Sequence, residues 1–207
     1  DEKTLITNAQ KPAKFLGYDV FIRRCNDLRK DKFGKTVRAF GHKPVLYLNF
    51  ETMRKKLFDY KAARIAVVNG KEVWKSIVRT YMIDLDDLEI VSQFNAEIRG
   101  FYNYYSIANN SYVINSFYHI MSYSMYKVFA SKYKSSVKKI LLKYKKNKVF
   151  QVAYENSKGK TLYQAFYHDG FKRKKVAGNI YCDTIPRTIS ITGGRNSLME
   201  RLKLQVC

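Results

Sequence analysis

Few side chains in this sequence have the types and spacing that catalysis or metal binding requires. The three histidines, His42, His119 and His168, stand alone, and the three cysteines, Cys25, Cys182 and Cys207, are far apart. An odd, widely spaced set suggests neither a disulfide framework nor a closed zinc site, and fits a reducing cytoplasm. His119 falls in an apolar helical run, where a satisfied core or interface imidazole is expected over a catalytic one. The acidic run "DLDD" offers Asp84, Asp86 and Asp87 to a metal, but Asp86 and Glu89 have the spacing of a capping box, so a helix start is the better reading. There is no glycine-rich phosphate cradle. Neither a catalytic set nor a metal site is assigned.

Binding chemistry is better represented. In "KYKSSVKKILLKYKKNK", Lys132, Lys134, Lys138, Lys139, Lys143, Lys145, Lys146 and Lys148 flank a narrow apolar strip of Val137, Ile140, Leu141 and Tyr144. That pattern gives a helix with one core face and one phosphate-facing face, and no acidic residue offsets the lysines; a merely solvated face is the alternative. A second stretch, "IRGFYNYYSIANN", gathers flat and hydrogen-bonding side chains. Phe101 and Tyr105 continue an apolar helical stripe, whereas Arg99, Asn103 and Tyr104 fall on other faces. Arg99 and Asn103 are helical neighbours at four residues. Arginine grips phosphates bidentately, and Asn or Tyr can hydrogen-bond a ribose 2′-OH, but an Arg–Asn network linking helices uses the same residues.

The whole chain supports a polyanionic partner. Its 207 residues carry a formal net charge of +22, from 39 Lys and Arg against 17 Asp and Glu. No apolar run approaches the ~20 residues of a spanning helix, and "DEKTLITN" is no signal peptide, so nucleic acid is favoured over lipid and no membrane partner is expected.

The elements that must position these groups divide into three. Residues 1–49 are β-rich: "AKFLGYDVFIRR" is extended and broken by Gly17, and "GKTVRAF" with "GHKPVLYLN" reads as two strands joined at Gly41-His42, around a basic tip. Residues 50–147 change to helical period, with Met53, Leu57 and Tyr60 or Ala63 in one helix, and Val91, Phe94, Ile98, Phe101 and Tyr105 in a second. Ile114, Phe117, Met121, Met125 and Val128 mark a third, and the lysine run forms a further helical segment or an extension of it. Three or more amphipathic helices of this kind make a bundle. Residues 148–207 read as a small mixed module, with a hairpin from "KVFQVAY" and "TLYQAFY", a basic loop "FKRKK", and a closing helix "NSLMERLKL". The fold class is therefore α+β.

Two motifs, in order, resemble a known family. "DEKTLITNAQKPAKFLGYDV" looks like the end of the palm of a group II intron reverse transcriptase, where a Lys-Thr pair precedes Phe-Leu-Gly-Tyr. "DLEIVSQFNAEIRGFYNYYSIANN" resembles the maturase-specific domain X, the thumb of the same proteins, and "GGRNSLMERLKLQVC" resembles the junction of the DNA-binding region with an HNH endonuclease. The likeness covers essentially the whole chain and is nearest to the bacterial group IIA proteins of the lactococcal type. It implies a C-terminal fragment: the palm end with a basic hairpin, the thumb, and a DNA-binding region ending where the endonuclease begins.

The resemblance implies binding rather than catalysis by this stretch. The Tyr-Ala-Asp-Asp polymerase motif and its partner aspartate would lie before Asp1, and the endonuclease ligands after Cys207, so RNA-directed DNA polymerase activity and its Mg²⁺ belong to the wider protein; Mg²⁺ is also expected in the intron RNA. Phe15, Leu16, Gly17 and Tyr18 match the primer grip. Arg99, Asn103 and Tyr104 match the maturase motif, as RNA contacts or as thumb structure. Lys134, Lys138, Lys139 and Lys143 are candidate RNA contacts, and Lys172, Arg173, Lys174, Lys175 and Arg195 candidate DNA contacts. The implied partners are group II intron RNA, an RNA–DNA template–primer, target DNA and the protein's own N-terminal fingers and palm. The implied role is assistance of splicing and retrohoming. A thumb serving only cDNA synthesis and a noncatalytic DNA-targeting module are the open alternatives.

Overall fold

The Leu16-Gly17 turn sets the first hairpin. In the computed structural model, which describes residues 8–23, 28–38, 43–156 and 158–175, both turn residues are left-handed, with φ of 49° and 80°. Two successive positive φ values match the twist that a two-residue hairpin turn needs. The turn joins β1 (Ala13–Phe15) to β2 (Tyr18–Arg23), with Phe15 opposite Tyr18. A second hairpin, β3 (Leu28–Lys30) and β4 (Thr36–Arg38), closes around Asp31, whose carboxylate accepts from the amides of Phe33 and Lys35. Strand β5 (Lys43–Leu48) returns to pair antiparallel with β2, giving the sheet order β1-β2-β5. The two strands read from "GKTVRAF" and "GHKPVLYLN" therefore exist but take different partners. The Gly41-His42 joint lies outside the described residues.

Helix α1 (Phe50–Asp59) starts at Asn49, whose side chain accepts from the Glu51 amide while its Nδ2 donates to Asp19. It buries Met53 and Leu57 as expected but stops at Asp59, so Ala63 belongs to a strand. The stretch around Trp74, which has no clear period, is a hairpin of β6 (Ala63–Val68) and β7 (Lys71–Ser76). Its turn is Asn69-Gly70, both left-handed, the strongest local hairpin signal a sequence carries.

Helix α2 (Asp87–Tyr105) opens with the expected capping box between Asp86 and Glu89, a device worth about 1 kcal/mol. Helix α3 (Ile114–Lys132) follows, then a break at Lys134, which has φ of 44°, and a separate helix α4 (Val137–Tyr144) capped by Ser136. Short strand β8 (Lys145–Lys146) leads into β9 (Val149–Glu155) and β10 (Thr161–Ala165), which pair as the expected hairpin. The fold is thus α+β.

The core joins parts that the sequence reading kept apart. Tyr18 and Leu48 of the first sheet, Phe94 and Ile98 of α2, Phe117 and Met125 of α3, and Phe150, Val152, Phe166 and Phe171 from beyond Lys148 share one buried cluster. The packing boundary falls at Lys174; of the unit that follows, only Lys175 is among the described residues. No helix among the described residues is long and apolar enough to cross a membrane.

Candidate nucleic-acid interface

The C-terminal half of α2 and the loop after it gather three of the predicted segments. Tyr104 lies half exposed, and its hydroxyl donates to the Leu16 carbonyl at 2.8 Å. The Tyr18 hydroxyl donates in return to the Tyr104 carbonyl, and the two rings stack with centroids 5.8 Å apart. Tyr105 packs against both Tyr18 and Tyr104. Burial first, then Tyr104 and Tyr105, push the Tyr18 phenol up to about 12, so it remains a neutral donor at physiological pH. A Cβ on Gly17 would stand 2.5 Å from the Tyr105 hydroxyl, so glycine is required by space as well as by φ. Phe15 and Leu16 point the other way and are 64% and 67% exposed, leaving an apolar tip beside Lys14.

The two asparagines that end the "IRGFYNYYSIANN" stretch are backbone clamps. Asn109 receives the Leu46 amide on Oδ1 and donates its own amide to the Leu46 carbonyl. Asn110 does the same with its side chain alone: Oδ1 accepts from the Leu48 amide at 2.8 Å, and Nδ2 donates to the Leu48 carbonyl at 3.1 Å. Together they continue the ladder along β5.

On the other side of α2, the basic loop docks onto the helix end. The Lys174 amide donates to the Ser106 carbonyl, Arg173 Nε to the Ile107 carbonyl at 3.1 Å, and Lys174 Nζ to Asn103 Oδ1 at 3.3 Å. Lys174 also lies over the Tyr102 ring, whose hydroxyl donates to the Lys172 carbonyl. Cations here meet the negative end of the α2 dipole. Asn103 thus serves Lys174, while Arg99 is exposed. Burial, Tyr102 and Asp169 push the Tyr167 phenol up to about 12, with Arg99 working against them. Lys172 and Lys175 are exposed; Arg195 lies outside the described residues.

The lysine helix is held at the opposite end of α2. Asp87 in the first turn of α2 accepts from Tyr133 at 2.6 Å and Tyr144 at 3.0 Å, and pairs with Lys132 at 2.8 Å. This knot ties the end of α3 and the last residue of α4 to the start of α2. Burial, the Tyr133 hydrogen bond and the Asp87 charge hold the Tyr144 phenol far above its ordinary range. Lys134, Lys138, Lys139 and Lys143 are all exposed, and Lys143 lies 5.0 Å from the ring centres of Tyr133 and Tyr144. None of the four is in an ion pair among the described residues. Asp86 and Asp87 are therefore structural.

Sequence reasoning missed three supports. Asn95, 2% exposed, joins α2 to the end of β10 by accepting from the Tyr167 amide and donating to the Ala165 carbonyl, each at 2.8 Å. Arg79, 1% exposed, pairs with Glu97 at 2.7 Å and lies over Phe94 with its carbon centre 4.3 Å from the ring. The third is the Asn109–Asn110 pair; its doubled asparagine after a helix was the one local signal available. A correction concerns His119. It is exposed rather than in the core, because the buried stripe of α3 runs through Phe117 and Met121 on the opposite side. Among the described residues no group of three His, Cys, Asp or Glu side chains is placed to hold a metal ion, so no step is assigned to Mg²⁺ on this chain.

The chain is similar to known proteins over its whole length. The family model described as type II intron maturase matches residues 53–179. The group II intron-encoded protein LtrA of Lactococcus lactis subsp. cremoris is 34% identical over 209 residues, which cover 100% of this chain and 34% of that protein. The putative COX1/OXI3 intron 1 protein of Saccharomyces cerevisiae is 31% identical over 146 residues, covering 65% of this chain and 16% of that protein. Maturase K of Chaetosphaeridium globosum is 33% identical over 91 residues, covering 44% and 18%. The chain spans about a third of the length of the lactococcal relative.

Proposed function

Because the chain belongs to the type II intron maturase family, we propose that it binds folded group II intron RNA and stabilises the splicing-competent arrangement. The observation that carries this reading is the α4 face, where Lys138, Lys139 and Lys143 are exposed without ion-pair partners among the described residues and are held rigid by the Asp87 knot. A fixed cationic face placed where RNA segments approach replaces condensed counterions and offsets phosphate repulsion. The chain supplies a surface, and the transesterifications stay with the RNA.

The docked basic loop supports a second contact, with target DNA. Arg173 and Lys174 each make a bond to the α2 end, which fixes the path of the loop and leaves Lys172 and Lys175 for phosphates. The exposed Phe15 and Leu16 favour a further role of the Gly17 turn beside a template–primer strand when the chain works with its N-terminal palm.

The test is affinity for a folded group II intron RNA against an unrelated structured RNA of equal length, each over a salt series. A preference for the intron that persists as salt rises supports the maturase reading. Equal affinities that fall together leave only charge at work and refute intron recognition by this chain.

A further inference from the structure

The outer face of α3 carries a second, uncharged site. A cavity of about 350 Å³ is lined by Trp74 of β7 and by Asn115, Ser116, His119 and Ile120 of α3. That volume is at the lower end of small-molecule sites, ~300–1,000 Å³. One wall is aromatic: Trp74 is half-buried, braced by Phe50 at 4.7 Å between ring centres. The α3 side of the cavity presents an amide, a hydroxyl and an imidazole, with His119 three and four residues from Ser116 and Asn115 and so beside both on the helix surface. Asn115 donates to the Tyr112 carbonyl through Nδ2, and the exposed His119 packs against the Tyr123 ring, 4.7 Å away. An aromatic ring and mixed donors and acceptors lining one cavity are what a nucleobase requires.

The other face of the hairpin is cationic, since alternation along β7 turns Lys75 away from Trp74. Arg64 stands directly opposite Lys75 in the β6–β7 ladder, a like-charged cross-strand pair that costs stability when nothing neutralises it. Lys127 of α3 donates to the Ser76 carbonyl beside them, and its pKa is lowered by burial and then by the Arg64 and Lys75 charges. Among the described residues none of the three is in an ion pair. Lys127 is eight residues along α3 from His119, about 12 Å at the helical rise, within reach of a neighbouring nucleotide's phosphate.

We propose that this cavity binds one unpaired nucleobase of an RNA strand, stacked on Trp74 and hydrogen-bonded by Asn115, Ser116 and His119, with Lys127 holding an adjoining phosphate. The inference rests on the reading that the chain binds RNA and adds a place where it reads a base. Trp74 is the single tryptophan of the chain, so intrinsic emission reports this site directly.

The experiment titrates the full chain with a short oligoriboadenylate and with an abasic ribose-phosphate strand of equal charge, following Trp74 emission. Saturable quenching by the base-bearing strand alone is expected. Asn115→Ala with His119→Ala, both at exposed positions, should weaken that titration about tenfold with unchanged thermal unfolding. Equal quenching by the abasic strand, or an unchanged midpoint in the double variant, overturns the proposal. Loss of the pocket signal with intact preference for folded intron RNA removes the base site alone. Loss of that preference with base-dependent quenching intact removes the maturase reading alone.

Discussion

Replacing Asn95 by alanine tests whether the hairpin beyond Lys148 is integral to the helical core. The side chain is 2% exposed and its two hydrogen bonds, both 2.8 Å, join α2 to the Ala165 carbonyl and the Tyr167 amide. Truncation leaves one backbone donor and one acceptor without partners, and each such group costs about 1–3 kcal/mol, so the variant should lose about 2–6 kcal/mol. That is a large share of a typical domain stability of about 5–15 kcal/mol. Urea unfolding of the full chain gives the free energy, and amide exchange at Tyr167 locates it. Asn95→Asp sharpens the test: it keeps the acceptor but sets an oxygen against the Ala165 carbonyl. It should be as harmful at neutral pH and improve on acidification, when the carboxyl regains a donor and its desolvated charge is gone. A loss below about 1 kcal/mol, with Tyr167 exchange unchanged, would show that the clamp is dispensable and refute the shared-core reasoning.

Two further outcomes are expected. Lys138→Gln, Lys139→Gln and Lys143→Gln together should reduce the salt dependence of RNA binding by about 2–3 in log–log slope, from ~0.7–0.9 per phosphate contact. Thermal unfolding should stay unchanged, since Ile140 and Tyr144 keep the core face; an unchanged slope would take α4 out of the interface. The second concerns alkali. Tyr18, Tyr126 and Tyr167 are each pushed up to about 12, with burial the largest cause. A pKa raised above the unfolded value of about 10 contributes stability that is present below pH ~10 and is lost as pH climbs toward 12. Ultraviolet titration of the 17 tyrosines should show an exposed group ionising first and a buried group ionising late, together with unfolding. A single early transition would contradict the burial of these rings.

Local chemistry was enough for much of the fold. The Asp86–Glu89 capping box, the α2 and α3 stripes and the β9–β10 hairpin follow from periods and caps that act within a few residues. The lysine face of α4 was legible for the same reason: exposure on a short helix is set by the apolar strip opposite it. The Asn69-Gly70 hairpin is equally local, but Trp74 sits in a run without clear alternation, which hides its second strand. His119 lies off the stripe of Ile114, Phe117, Met121, Met125 and Val128, so the period of α3 itself turns it to the exposed side.

What the "IRGFYNYYSIANN" stretch is for was decided by tertiary structure. Its residue types announced hydrogen bonding without naming partners, because a tyrosine hydroxyl or an asparagine amide satisfies RNA and backbone equally well. The partners proved to be Leu16 for Tyr104, Lys174 for Asn103, and Leu46 and Leu48 for Asn109 and Asn110, all more than sixty residues away in sequence. Charge and period are properties of a segment and are written in it. A clamp between segments depends on where the chain returns, and only the packed core fixes that.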